Sequence, residues 1–218
     1  DKASAALDAD EPARAIELAE KVIAGRSSDA ARSRAMTIVV WAELMRGDAG
    51  AAERGLVEIR KREEPDRALT GNVALAAGRL SEARMVLENA YHDGDRRKEV
   101  FGPLIQVLLR QDAHARAAEV ALERFESLSS DDARQVAELA SEGGAHVAAA
   151  RLYERVATRE RSRGDILSAV RAYSKAGERD RAVDALKKAF VSGVVTEADV
   201  RSDSELGELM GDSVSEGT

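Results

Sequence analysis

Short alanine-centred segments return along this chain at nearly equal intervals, and no other feature constrains its fold as strongly. Pro12 to Ala19, Leu80 to Leu87, His146 to Tyr153 and Arg179 to Leu186 superpose without gaps, and two weaker copies centre on Ala52 and Ala117. The anchoring alanines stand at positions 15, 52, 83, 117, 149 and 182, spaced by 37, 31, 34, 32 and 33 residues. Such a period marks a supersecondary unit that buries its apolar face by stacking on its neighbours. Five residues before four of the anchors stands Gly47, Gly78, Gly144 or Gly177, where one helix ends and the next begins through a turn of positive φ. Each unit therefore reads as a helical hairpin.

Composition agrees. Alanine supplies 41 of the 218 residues, aromatic residues only 3%, and the three prolines at 12, 65 and 103 leave little to break helices. The segments before the anchors place Phe101, Leu104, Ile105 and Leu108, then Ala133, Val136, Ala137 and Ala140, then Ile166, Ala169, Val170 and Tyr173 at helical spacing, so one face of each is buried. An all-α chain is expected.

Several functional classes lose ground at once. The net charge of −7, with carboxylates interleaved among the cations, disfavours a nucleic-acid partner. The absence of cysteine removes disulfide scaffolds, thiolate zinc sites and cysteine nucleophiles. The longest apolar runs, Met36 to Trp41 and Val191 to Val195, are far too short to span a bilayer, so this segment is expected to make no membrane contact and to lie in the cytoplasm.

A helix pair recurring every 34 residues or so, with a small residue at the close crossing, resembles the tetratricopeptide repeat family. Tyr173, Gly177, Ala182, Leu186 and Ala189 match the family's signature types in the best copy, and Gly71, Gly78, Ala83 and Ala90 do so in the third. The family's tryptophan at the fourth place is absent, with Phe101 taking it in one copy, and so is the proline that closes each repeat. The resemblance is thus to a divergent, bacterial type. It implies a right-handed α-solenoid of about six hairpins over residues 1–190, with the first hairpin shortened. A capping segment over 191–210, helix-capped at Thr196 or Asp203, resembles an end-of-group segment, and 211–218 is expected to be a disordered tail.

The same resemblance implies a function, that of a non-catalytic scaffold which holds a protein or peptide in the concave groove. Its lining would include Thr37, Trp41, Asn72, Gln106, Arg110, Arg134, Glu138, Arg171 and Lys175. Trp41 falls outside the core pattern and suits either an anchor for a partner or a sideways contact between repeats. Arg110, Arg134, Arg171 and Lys175 would suit an acidic peptide. The alternative is a regulatory or sensory module of a larger protein, since arrays of this type occur fused to kinases, transcription factors and membrane metalloproteases. That reading rests on the missing initial Met, the shortened first hairpin and the end-of-group segment.

Other motifs have plainer explanations. Arg46-Gly47-Asp48 reads as a glycine turn plus N-cap, Arg163-Gly164-Asp165 as an inter-repeat turn, Tyr91 to Asp95 as a solvated connector, and Asp131-Asp132 as a helix start. His92, His114 and His146 lie in or beside different turns with no nucleophile at a recognisable elbow, and Gly143-Gly144 lacks the rest of a phosphate loop. No enzyme, metal or cofactor is expected.

Overall fold

The computed structural model describes residues 2–201, and among these it is helical throughout, with thirteen α-helices, one short 3-10 turn and no strand. The described residues divide into two compact units, 2–107 and 108–201. The first holds α1 (Lys2–Asp8), α2 (Pro12–Ala24), α3 (Asp29–Met45), α4 (Ala49–Arg60), α5 (Arg67–Ala76), α6 (Leu80–His92) and most of α7 (Lys98–Arg110). The second holds the end of α7, then α8 (His114–Glu123), the 3-10 turn Phe125–Ser127, α9 (Ser130–Glu142), α10 (His146–Glu160), α11 (Arg163–Lys175), α12 (Arg179–Val191) and the short α13 (Glu197–Arg201).

The recurrence read from the alanines is present in the backbone. Ala15, Ala52, Ala83, Ala117, Ala149 and Ala182 each stand three residues into an even-numbered helix, and each is 0% exposed. Their N–H groups close the first helical turn on the carbonyls of Glu11, Asp48, Arg79, Ala113, Ala145 and Glu178. Only a methyl group fits where two helices approach this closely. Within the first unit α2 packs on both α1 and α3, and α3 also on α4 and α5; within the second, α10 packs on α8, α9 and α11. The fold is all-α and helical-repeat-like.

The turn before each anchor is also the same every time. Its residue lies in the left-handed region at Asp10 (φ 59°), Gly47 (75°), Gly78 (75°), Asp112 (56°), Gly144 (80°) and Gly177 (74°). The next N–H reaches back five residues, as from Ala145 to the Ala140 carbonyl at 2.7 Å and from Glu178 to the Tyr173 carbonyl at 3.0 Å, which is the Schellman closure of a helix C-terminus. Four of these positions were legible as glycines. Asp10 and Asp112 adopt the same conformation with a side chain that tolerates it. At Gly144 an added Cβ would meet nothing within 4 Å, so the cost of a side chain there is the backbone conformation alone. We expect Gly144→Ala to lower stability by about 1 kcal/mol in urea unfolding, and Gly144→Asn to recover part of that loss.

Two helix interiors needed more than a pattern. Pro103 lies inside α7 and offers no N–H to the Glu99 carbonyl one turn back. Asn72 Nδ2 of α5 donates to that carbonyl at 2.8 Å and to the Ala68 carbonyl of its own helix at 2.8 Å, so the proline is tolerated and α5 is tied to α7. Arg163-Gly164-Asp165 forms the first turn of α11, not an inter-repeat turn, because the Ser162 hydroxyl accepts from the Asp165 N–H at 3.3 Å and starts the helix there. Asp48 caps α4, and Asp131-Asp132 opens α9 behind Ser129. Tyr91 and His92 end α6, and Tyr91 is buried, so this run is helix end more than connector.

At the far end Thr196 Oγ1 accepts from the Asp199 N–H at 3.4 Å and caps α13, while Val195 and Val200 are buried and Arg163 Nη1 meets Asp199 Oδ1 at 2.6 Å. The second cap, Asp203, and the tail 211–218 lie outside the described residues.

Candidate functional site

The residues singled out for a groove lie on the odd-numbered helices. In the first unit Thr37 and Trp41 sit one turn apart on α3, Asn72 on α5 and Gln106 on α7. In the second, Arg110 ends α7, Arg134 and Glu138 sit one turn apart on α9, and Arg171 and Lys175 on α11. Gln106, Arg110, Glu138 and Lys175 are exposed, whereas Thr37, Trp41, Asn72, Arg134 and Arg171 are partly buried.

Partial burial has a specific cause in three cases. Trp41 packs with Met36 and Leu44 against the buried cluster of Val40, Ala52, Leu56, Ile59, Leu69 and Val73, so much of its ring belongs to the core of the first unit. Asn72 is the donor that satisfies the carbonyl freed by Pro103. Arg134 is held by carboxylates on three sides. Its Nε donates to both oxygens of Asp165 at 3.0 and 3.1 Å, Nη1 to Asp131 at 2.7 Å, and Nη2 to Glu160. Asp165, then Glu160, raise the pKa of this guanidinium above its already high ordinary value. Arg134 is therefore committed to joining α9 to α11, while Arg110 and Lys175 have no ion-pair partner among the described residues.

A second kind of site, which the sequence did not announce, lies between successive even-numbered helices. A polar cleft of about 450 Å³ opens between α4 and α6, lined by Arg60, Arg67, Thr70, Val86, Asn89 and Asp93 among others. An apolar cleft of about 390 Å³ opens between α10 and α12, where Ala157, Ile166, Ala169, Ala185, Lys188 and Ser192 occupy the same places counted from the anchors. The junction between α8 and α10 is closed at those places. There Phe125, eight residues after its anchor as Ala157 is after Ala149, is 3% exposed and stands with the buried Ala133, Val136 and Leu152 at the equivalent places. Arg155 and Arg159 of α10 lie over its ring at 4.7 and 3.9 Å to the centroid.

No protein-family model matches this chain, and no curated protein matches its sequence. The site must therefore be read from its own chemistry. Among the described residues no group of three or more His, Asp or Glu is placed to hold a metal ion, and no helix is long and apolar enough to cross a membrane. The histidines are scattered: His92 ends α6, while His114 and His146 open α8 and α10. The His114 ring lies so close to Gly143 that a Cβ on that glycine would come within 2.0 Å of it, which accounts for the glycine. The signal that would have found the clefts is the eighth residue after each anchor, read down the chain as Ile23, Arg60, Tyr91, Phe125, Ala157 and Phe190. Bulk alternates there with charge and with a methyl group.

Proposed function

We propose that this chain is a divergent tetratricopeptide-type protein of about six hairpins, right-handed as that family is, which binds a protein or peptide partner and carries out no chemistry of its own. The observation that supports it is the asymmetry of the odd-numbered helices. Their buried residues are predominantly apolar, while Gln106, Arg110, Glu138 and Lys175 stay accessible. Helices stacked in this way offer a run of side chains from successive repeats to an extended ligand. In the second unit the uncommitted cations Arg110 and Lys175 favour an acidic peptide despite the chain's net charge of −7, because short-range pairing outweighs a distant and screened repulsion.

A fluorescein-labelled acidic peptide titrated at low and moderate salt tests this. We expect binding that weakens as salt rises, and a loss of about tenfold in affinity when Arg110→Glu and Lys175→Glu are combined, with the helical content unchanged. Trp41 is the only tryptophan, so its emission reports occupancy of the first unit's stripe separately. Equal affinity in the double variant and the parent would reject the acidic-peptide reading.

A further inference from the structure

The junction between α10 and α12 lacks the ring that occupies the corresponding place between α8 and α10. Tyr91 and Phe125 each stand eight residues after an anchor, each is 3% exposed, and each lies under an arginine: Arg96 is 4.1 Å from the Tyr91 centroid and Arg159 is 3.9 Å from that of Phe125. Ala157 stands at the same place after Ala149, and instead of a ring there is an apolar cleft of about 390 Å³. Leu152 and Val136 of the closed junction correspond to the smaller Ala185 and Ala169 here, while Ala133 corresponds to the larger Ile166, which lines one wall. A volume of that order is at the small end for a ligand site and is matched to a side chain more than to a cofactor.

The rim keeps part of the pattern, with Lys188 at the place of Arg155 and Ser192 at that of Arg159. In the closed junction the residue after the ring, Glu126, pairs with Arg155 at 2.9 Å and with Arg159 at 3.5 Å. At the open cleft the lining presents Arg161, exposed and without an ion-pair partner among the described residues, and Lys188, whose partner at 2.7 Å is the exposed Asp184. It also includes Glu154, whose carboxylate is engaged by the Tyr173 hydroxyl at 2.7 Å. The polar cleft between α4 and α6 offers no such apolar floor, with Arg60 and Arg67 where Ala157 and Ile166 stand here.

We propose that the α10–α12 cleft is a binding site for an aromatic side chain followed by a carboxylate, presented by a partner polypeptide. The chain's own Phe125-Glu126 is the template. The ring enters between α10 and α12 over Ala157, Ala169 and Ala185, and the carboxylate meets Arg161 and Lys188. Aromatic burial supplies the affinity and the cations set the orientation. This site lies off the stripe of the odd-numbered helices, and it stands or falls independently of the function proposed above.

Alanine-methyl NMR on the whole chain tests it, with the probe acetyl-Gly-Ser-Phe-Glu-Ser-Gly-amide and matched peptides carrying Ala for Phe or Lys for Glu. The expected result is a saturable shift of the Ala157, Ala169 and Ala185 methyls, about tenfold weaker for the Ala peptide and several-fold weaker for the Lys peptide. Ala157→Phe, which restores the ring from within, should abolish binding, and Ala185→Leu should do so by a different plug if the first variant fails to fold. The site is refuted by equal affinity for the Ala peptide, by undiminished binding to a folded plugged variant, or by no saturable shift at peptide concentrations of several millimolar. Leu206→Ser with Leu209→Ser leaves affinity unchanged if the occupant is external. A rise of about tenfold would assign the cleft to the chain's own C-terminal segment and overturn the proposal.

Discussion

Phe125→Ala should cost about 3–5 kcal/mol, the largest loss expected of any single truncation in the second unit. The ring is 3% exposed, so the substitution removes an aromatic side chain from a packed site and leaves a cavity that Leu152 and Val136 cannot collapse into without leaving their own contacts. It also takes the ring from beneath two guanidinium groups. Arg159 donates to the carbonyls of Leu128 at 2.9 Å and Phe125 at 3.0 Å, and Arg155 to that of Leu122 at 3.1 Å, so both would keep their backbone bonds while losing the ring beneath them. The variant would acquire between α8 and α10 a cleft of the kind that α10 and α12 already have. Urea unfolding measures the loss, and a shift below about 1 kcal/mol would mean that the ring is not what closes this junction. A smaller loss in Phe125→Leu than in Phe125→Ala would assign most of the effect to volume, and equality of the two would assign it to the stacked arginines.

The contrast between Phe125 and Ala157 shows how far the sequence could be read. The repeat was legible because it rests on residues with little choice: an anchoring alanine where helices cross closely, and a glycine where the backbone turns left-handed. Asp10 and Asp112 occupy the same turns, but aspartate is common on any helical surface, so nothing in its identity marked them. The N-cap at Asp48 was visible because it follows a glycine at fixed spacing. The role of Asn72 was not, since it depends on a carbonyl that Pro103 frees in another helix, 27 residues from Asn72 in sequence. Placing the candidate groove residues on the odd-numbered helices needed only helical periodicity. Which of them are committed elsewhere needed the partners: Trp41 to a cluster on its own side and Arg134 to three carboxylates. The clefts were hidden because a missing side chain gives no signal until the junctions are compared place by place.

Arg134→Glu is expected to destabilise the second unit by about 2–3 kcal/mol, and this decides how the groove residues should be probed. Asp165 is only 5% exposed, the one buried charged side chain among the described residues, and its carboxylate has the Arg134 Nε at 3.0 and 3.1 Å. Removing the cation leaves that charge buried and unpaired, a loss of about 3–5 kcal/mol for a fully buried pair, which we lower because the Arg134 side chain is 32% exposed and water screens part of the interaction. The reversed charge would also face Asp131 and Glu160. Arg134→Gln keeps a donor and should lose less. Asp165→Asn removes the buried charge itself, so combining Asp165→Asn with Arg134→Gln should be milder than the two single losses added together, with a coupling of about 1–2 kcal/mol in a double-mutant cycle. Additive losses would show that Arg134 does not owe its position to Asp165 and would return it to the pool of groove cations. If the coupling is found, a binding defect in Arg134→Glu reports damage to the contact between α9 and α11, and only Arg110 and Lys175, which hold nothing else in place, can test whether the stripe of the second unit meets a partner.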